Sequence, residues 1–274
     1  MKPTPFIYLF LIGLFSFKAT AYAENYRILI TNDDGIQYPG LIALAENLSH
    51  DYEVIVSAPA ENMSGNSHAT NLFKGPVKVD ELPENGKYQA FAVHGTPADA
   101  ARFGLVQMRN QEKAINLVIS GINPGSNIGS LSHLSGTIGA AMEAQYYDTP
   151  AIAINLDRKV IKEAGFTPAI DLVRRLIPEI RKNGLPRGVV LNANIPHQSK
   201  GLKIVPMGGS VLNVDSYTKT DEGFKANVTF PLPKADQTAN DSDAYKNGFT
   251  TLTPLQLDWT ATGMLPKLKE WRLE

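Results

Sequence analysis

The sequence predicts a doubly wound α/β fold built on a parallel sheet, and three observations predict it. Short apolar and β-branched runs such as Ile28–Thr31, Glu53–Ser57 and Asn116–Ser120 read as strands covered on both faces. Helical patterns separate them at short intervals, as crossovers between parallel strands require. After about Pro196 the alternation gives way to β-prone pieces joined by polar, Gly/Asp-rich loops, which reads as a C-terminal β arm or extension. The expected division is a leader over 1–23, a core over 24–196 and an arm with its tail over 197–274.

Met1–Ala23 carries the three parts of a secretory signal peptide: Lys2 as the positive region, Phe6–Phe17 as a nearly unbroken apolar run, and Ala21-Tyr22-Ala23 as a small-x-small cleavage site. The apolar run falls short of the ~20 residues that span a bilayer comfortably. Cleavage after Ala23 is expected, with an uncleaved anchor as the alternative, and it implies a periplasmic or secreted protein without a membrane span. The chain has no cysteine, which excludes disulfides, zinc-thiolate sites and a thiol nucleophile. A formal net charge of -1 offers no basic surface for nucleic acid or an anionic membrane.

In chain order, the strand Ile28–Thr31 is stopped by Asn32-Asp33-Asp34-Gly35, and a helical pattern follows over Leu41–Leu48. Glu53–Ser57 is the next strand, followed by the polar loop Glu61–His68. Gln89–Val93 is another, and Thr96 with Pro97 reads as the N-cap and first position of a helix. The Asn116–Ser120 strand runs into a Gly/Asn-rich loop, Gly121–Gly129, and a helix begins near Ser135-Gly136-Thr137. Ala151–Ile154, a helix over Pro168–Lys182, and Gly188–Asn192 complete the core; Lys203–Met207, Lys225–Phe230 and Phe249–Leu257 are the β-prone pieces of the arm.

Polar residues gather at strand ends. Asp33 and Asp34 follow the first strand, Ser64 lies in the loop after the second, and Asn123 follows Asn116–Ser120. Adjacent carboxylates at the end of a buried strand repel each other and lose hydration, so they call for a positive partner, although Asp-Asp-Gly is also an ordinary turn sequence. If these strand ends meet at a switch point, two carboxylates, a hydroxyl and an amide form an oxygen-only set suited to Mg²⁺, Mn²⁺ or Ca²⁺. Ser64 or Asn123 taken singly is better explained as loop polarity. Gly121–Gly129 and the helix start at Ser135-Gly136-Thr137 would present backbone N–H groups to an anion. Neither a Walker loop nor a dinucleotide fingerprint is present, and Gly-x-Ser-x-Gly is absent. A cation beside an anion pocket suits phosphate-ester hydrolysis. His68 and His94 are candidate proton donors; His94 and His133 also fit plain hydrogen-bonded loop histidines.

With these stretches assembled, the chain resembles the SurE family of stationary-phase survival proteins, metal-dependent 5′-nucleotidases and acid phosphatases. The matching pieces are Thr31–Ile36 with Pro39-Gly40, Ser64-Gly65 with His68, Gly95–Asp99, Ser120–Asn123 with Gly125 and Asn127, Ser135–Thr137 with Gly139–Glu143, and Thr253–Leu255. The resemblance places metal ligands on Asp33, Asp34, Ser64 and Asn123, and phosphate-facing residues on Asn32, Gly65, Asn127, Ser135, Gly136 and Thr137. It implies a Rossmann-like core whose C-terminal β arm is exchanged between subunits to give a homodimer or homotetramer. The expected reaction is hydrolysis of nucleoside 5′-monophosphates with one divalent cation, Mg²⁺ or Mn²⁺. Asp33 and Asp34 would be the catalytic carboxylates, with Asp34 orienting the attacking water. The alternatives are a broad acid phosphatase or exopolyphosphatase, and a non-catalytic nucleotide-binding periplasmic module. Two positions depart from the family pattern: Ala69 replaces a serine, and Pro124 replaces a basic residue, which should weaken attraction for the substrate phosphate.

Overall fold

The computed structural model describes residues 26–83, 86–231 and 238–271; the expected signal peptide over 1–23 lies outside them. The chain begins with β1 (Arg27–Thr31), α1 (Pro39–Leu48), β2 (Glu53–Pro59), β3 (Val79–Leu82), β4 (Gln89–Val93) and α2 (Pro97–Asn110). It continues through β5 (Leu117–Pro124), α3 (Gly136–Glu143), β6 (Ala151–Leu156), α4 (Arg158–Ala164), α5 (Thr167–Asn183) and β7 (Val189–Ile195). The last stretch holds β8 (Leu202–Ile204), β9 (Asn213–Thr220), β10 (Gly223–Thr229), α6 (Asp241–Lys246), β11 (Thr250–Gln256) and α7 (Leu265–Glu270).

Nine strands form one sheet in the order β3-β4-β2-β1-β5-β6-β7-β11-β8. The six from β4 to β7 are parallel, so the predicted doubly wound α/β class is the class observed. The chain leaves β1 toward β2 and β4, then returns to β1's other side for β5, β6 and β7. That reversal opens a crevice beyond the carboxyl ends of β1 and β5.

Alternation along β1 shows why both faces must be covered. Ile28 and Ile30 pack with Leu41, Leu44, Val173 and Ile177 of α1 and α5, whereas Leu29 packs with Leu105, Met108 and Ile138 of α2 and α3. All three β1 side chains are fully buried. The entry to α2 matches its sequence signal: Thr96 accepts from the Asp99 amide, Asp99 accepts from the Thr96 amide, and Pro97 follows the cap.

Three elements differ from the sequence reading. β5 does not stop at Ser120 but continues to Pro124, with an irregularity in register between Ser120 and Asn123 where Gly121 takes a φ of +139°. Asn123 therefore stands on a strand, opposite Asn155 of β6. β3, short and carrying Asp80 and Glu81, is an edge strand whose charges hide it from an apolar-run search. The segment expected as an arm divides: β8 and β11 join the central sheet, β11 antiparallel to β7, while β9 and β10 form a separate hairpin. That hairpin displays Tyr217 and Phe224 to solvent, and Phe230 just after it is exposed as well.

Candidate active site

The cleft at the switch point encloses about 340 Å³ and is lined by Asp33, Asp34, Ser64, Gly65, Asn123, Asn127 and Ser135, together with residues 124–126, Leu131, Leu134 and Arg158. Residues from five separate stretches converge there, among them the four oxygen-bearing side chains singled out at strand ends, Asp33, Asp34, Ser64 and Asn123. Among the described residues no three His, Cys, Asp or Glu cluster as a metal site, so two carboxylates with a hydroxyl and an amide are what the cleft offers a cation.

The turn after β1 is closed by Asn32, whose side chain accepts from the Gly35 amide (3.2 Å) and donates to the Gly35 carbonyl (3.0 Å). Gly35 takes a φ of +104°, open mainly to glycine, and so aims the two carboxylates into the cleft. Asp33 is nearly sealed and accepts from the Thr137 hydroxyl at 2.6 Å. Its carbonyl accepts from the Met63 amide, which fastens the Ser64 loop beside it (2.7 Å). Asp34 has a buried Oδ2 with no hydrogen-bond partner among the described residues. A buried carboxylate oxygen left unpaired is costly, and a hard cation is the partner its chemistry fits.

Burial pushes the Asp33 carboxyl up against the opposing pull of Thr137. Asp34 rises further, to about 7, through burial and then the Asp33 charge, with the Arg158 guanidinium opposing both. Burial and the Asp34 carboxylate push the neighbouring Tyr38 phenol up to about 12.

Of the expected phosphate-facing residues, Gly65, Asn127 and Ser135 line the cleft. Ser135 also caps α3, its oxygen accepting from the Ile138 amide at 3.2 Å. Asn32, Gly136 and Thr137 do not line it. The Asn32 side chain closes its own turn, the Thr137 hydroxyl serves Asp33, and Gly136 is the point of contact between α3 and Asp33: a Cβ there would come within 2.7 Å of the Asp33 Cβ.

His68 is tied away from the cleft. Its Nε2 lies 2.9 Å from Glu143 Oε2, while Arg102 Nε donates to Glu143 Oε1 (2.8 Å) and Arg102 Nη1 to Asp99 (2.9 Å). Asp99 also accepts from the Thr70 hydroxyl and the Asn71 amide. His94 pairs with Asp80 at the edge strand, and His133 meets the Trp259 ring edge-on. A more apolar groove of about 260 Å³ shares Ser135 with the cleft and is lined in part by His68, His133, Met142 and Trp259.

Sequence reasoning missed two groups. Asn155, Asn192 and Asn194, all fully buried, hold Asn127 from the ends of β6 and β7. Asn127 donates to Asn155 Oδ1 at 2.6 Å, its amide donates to Asn194 Oδ1 at 2.8 Å, and its carbonyl accepts from Asn192. Asparagine embedded in apolar strands was the available signal. Arg158, the first residue of α4, left no signal beyond following a strand.

The sequence model of the family described as Survival protein SurE matches residues 28–213. The chain belongs to the SurE family. A protein from Desulfatibacillum aliphaticivorans named 5′-nucleotidase SurE is 33% identical over 260 residues, covering 90% of this chain and 99% of the relative. One of the same name from Clostridium botulinum (strain Eklund 17B / Type B) is 36% identical over 252 residues, covering 89% and 98%. The crystal structure of SurE protein from Aquifex aeolicus superposes with a TM-score of 0.76 at 29% identity, over 89% of this chain and 99% of that one. The SurE fold thus accounts for the mixed α/β sheet described above.

Proposed function

We propose that this SurE-family protein is a 5′-nucleotidase that hydrolyses nucleoside 5′-monophosphates to nucleoside and phosphate. Relatives aligned over nearly their whole length carry that name. The observation that carries the reading is the unpaired, buried Asp34 Oδ2 in a cleft lined also by Asp33, Ser64 and Asn123. These four side chains are read as the holders of one Mg²⁺ or Mn²⁺, which when bound polarises a phosphoryl oxygen and acidifies water.

The remaining work falls to the chain's own groups. Asp33, oriented by Thr137 and by the first turn of α3, is fixed and shielded from solvent. Asp34, with its Oδ2 unpaired in the cleft, is read as the carboxylate that orients the attacking water. Ser135, Gly65 and Asn127, which line the cleft, are read as the donors to phosphoryl oxygens.

Phosphate release from AMP, measured on the chain from Glu24 with Mn²⁺ and then with EDTA, tests the reading. Turnover that EDTA abolishes supports it; no turnover with any divalent metal leaves a nucleotide-binding module instead. Relative rates on AMP, p-nitrophenyl phosphate and polyphosphate separate a nucleotidase from a broad phosphatase. Asp33→Ala abolishes turnover in a protein that still folds, as its circular dichroism would report.

The composition of Met1–Ala23 supports export with cleavage after Ala23, and N-terminal sequencing of secreted material checks it. Among the described residues no helix is long and apolar enough to cross a membrane. The solvent-facing aromatics of β9 and β10 support a homodimer or homotetramer assembled through this hairpin, and light scattering checks it.

A further inference from the structure

The cleft holds two acidic side chains, and among the described residues lining it Arg158 alone carries a positive charge. Its position is set by register. β6 pairs with β5 through Pro124 and Leu156, Asp157 caps α4 by accepting from the Lys159 amide at 2.7 Å, and Arg158 is the first helical residue. Arg158 Nε donates to the Pro124 carbonyl at 3.0 Å, so the guanidinium is tethered next to Asn123. Among the described residues Arg158 makes no ion pair, and its terminal nitrogens have no other partner. A planar fork held at one corner and open at the other two nitrogens is the geometry that takes two oxygens of a phosphate.

The charge balance points the same way. A divalent cation would cancel the two carboxylates and leave only neutral donors, with no net positive charge, to meet a phosphomonoester dianion. Pro124, beside the amide ligand candidate, brings no charge. Arg158 supplies it from a neighbouring element, and the Asp34 carboxyl already feels it.

Resting on the nucleotidase reading above, we propose that Arg158 is a substrate-binding residue that grips the phosphoryl oxygens of the nucleotide through its two terminal nitrogens. The contact forms with the substrate's dianion as well as with the transition state, so its loss acts on KM more than on kcat. Lysine keeps the charge but loses the fork, and glutamine loses the charge.

The experiment uses wild type, Arg158→Ala, Arg158→Gln and Arg158→Lys with Mn²⁺ and AMP. The expected result is a KM raised ~10- to 100-fold in the Ala and Gln variants, with kcat within about 3-fold and Lys in between. Inorganic phosphate, titrated calorimetrically into the Mn²⁺-loaded proteins without substrate, should weaken by the same factor. Mn²⁺ affinity in the absence of phosphate should hold within about 2-fold, because Arg158 is no ligand. An unchanged KM and an unchanged phosphate affinity overturn the assignment, as does a loss confined to Mn²⁺ affinity, which would make Arg158 a support for Asp34. Wild type without AMP turnover overturns the nucleotidase reading instead, and the phosphate titration still decides whether Arg158 binds the anion.

Discussion

Two networks hold the two loops that wall the cleft, and they use opposite chemistry. The Ser64 and Gly65 loop is anchored by ionisable groups: His68 to Glu143, Glu143 to Arg102, Arg102 to Asp99, and Asp99 back to Thr70 and Asn71. The Asn127 loop is anchored by neutral amides from Asn155, Asn192 and Asn194. In the first, removing one member strands a buried charge. In the second, removing one member leaves an unpaired amide and nothing titrates. One wall of the cleft should therefore respond to pH, and the other should not.

The sharpest way to break the comparison is Glu143→Ala. Glu143 has a side-chain exposure of 2%, and Arg102 and His68 both depend on it. Its loss should cost about 3 kcal/mol in denaturant unfolding and lower Tm by about 6–12 °C. Asn155→Leu should cost about 2 kcal/mol by leaving Asn127 and Asn192 without their partner. That loss should stay constant from about pH 5 to about pH 9, since no charge is involved.

Asp99→Asn tests the pH contrast directly. Burial works to raise the Asp99 carboxyl, but Thr70 and the amides of Asn71 and Thr96 outweigh it and hold it below the usual range. A depressed carboxyl stabilises the fold above its ordinary value and loses that contribution as pH falls through the depressed one. The variant should be about 1–2 kcal/mol less stable at neutral pH. The gap to wild type should close below about pH 4, seen as converging unfolding midpoints. A constant gap across pH would show that shape, not charge, holds this loop. Smallest, Ser135→Ala touches neither network; losing the cap of α3 should cost about 1 kcal/mol, with weaker phosphate binding as its second readout.

The same contrast explains what was legible beforehand. Strands that bury both faces announce themselves as apolar runs, so β1, β2, β4, β6 and β7 could be read from the chain, and the Asp33-Asp34 junction with them. The ionic anchor could not, because its members lie 75 and 41 residues apart and each alone looks like a solvated charge. The continuation of β5 was hidden by Gly121 and Pro124, residues that normally announce a loop. Arg158 was invisible because a single arginine opening a helix has no periodicity to betray it, and its meaning comes only from the strand register that sets it beside Pro124.

The approach of Gly136 to Asp33 has a practical corollary. The methyl group of an alanine there would press on the Asp33 side chain and on Pro97, and the carboxylate would yield before the sheet did. In a saturation screen scored for catalysis, this position should rank with the acidic pair even though it has no functional group to contribute. The same screen scored for expression should pass over it.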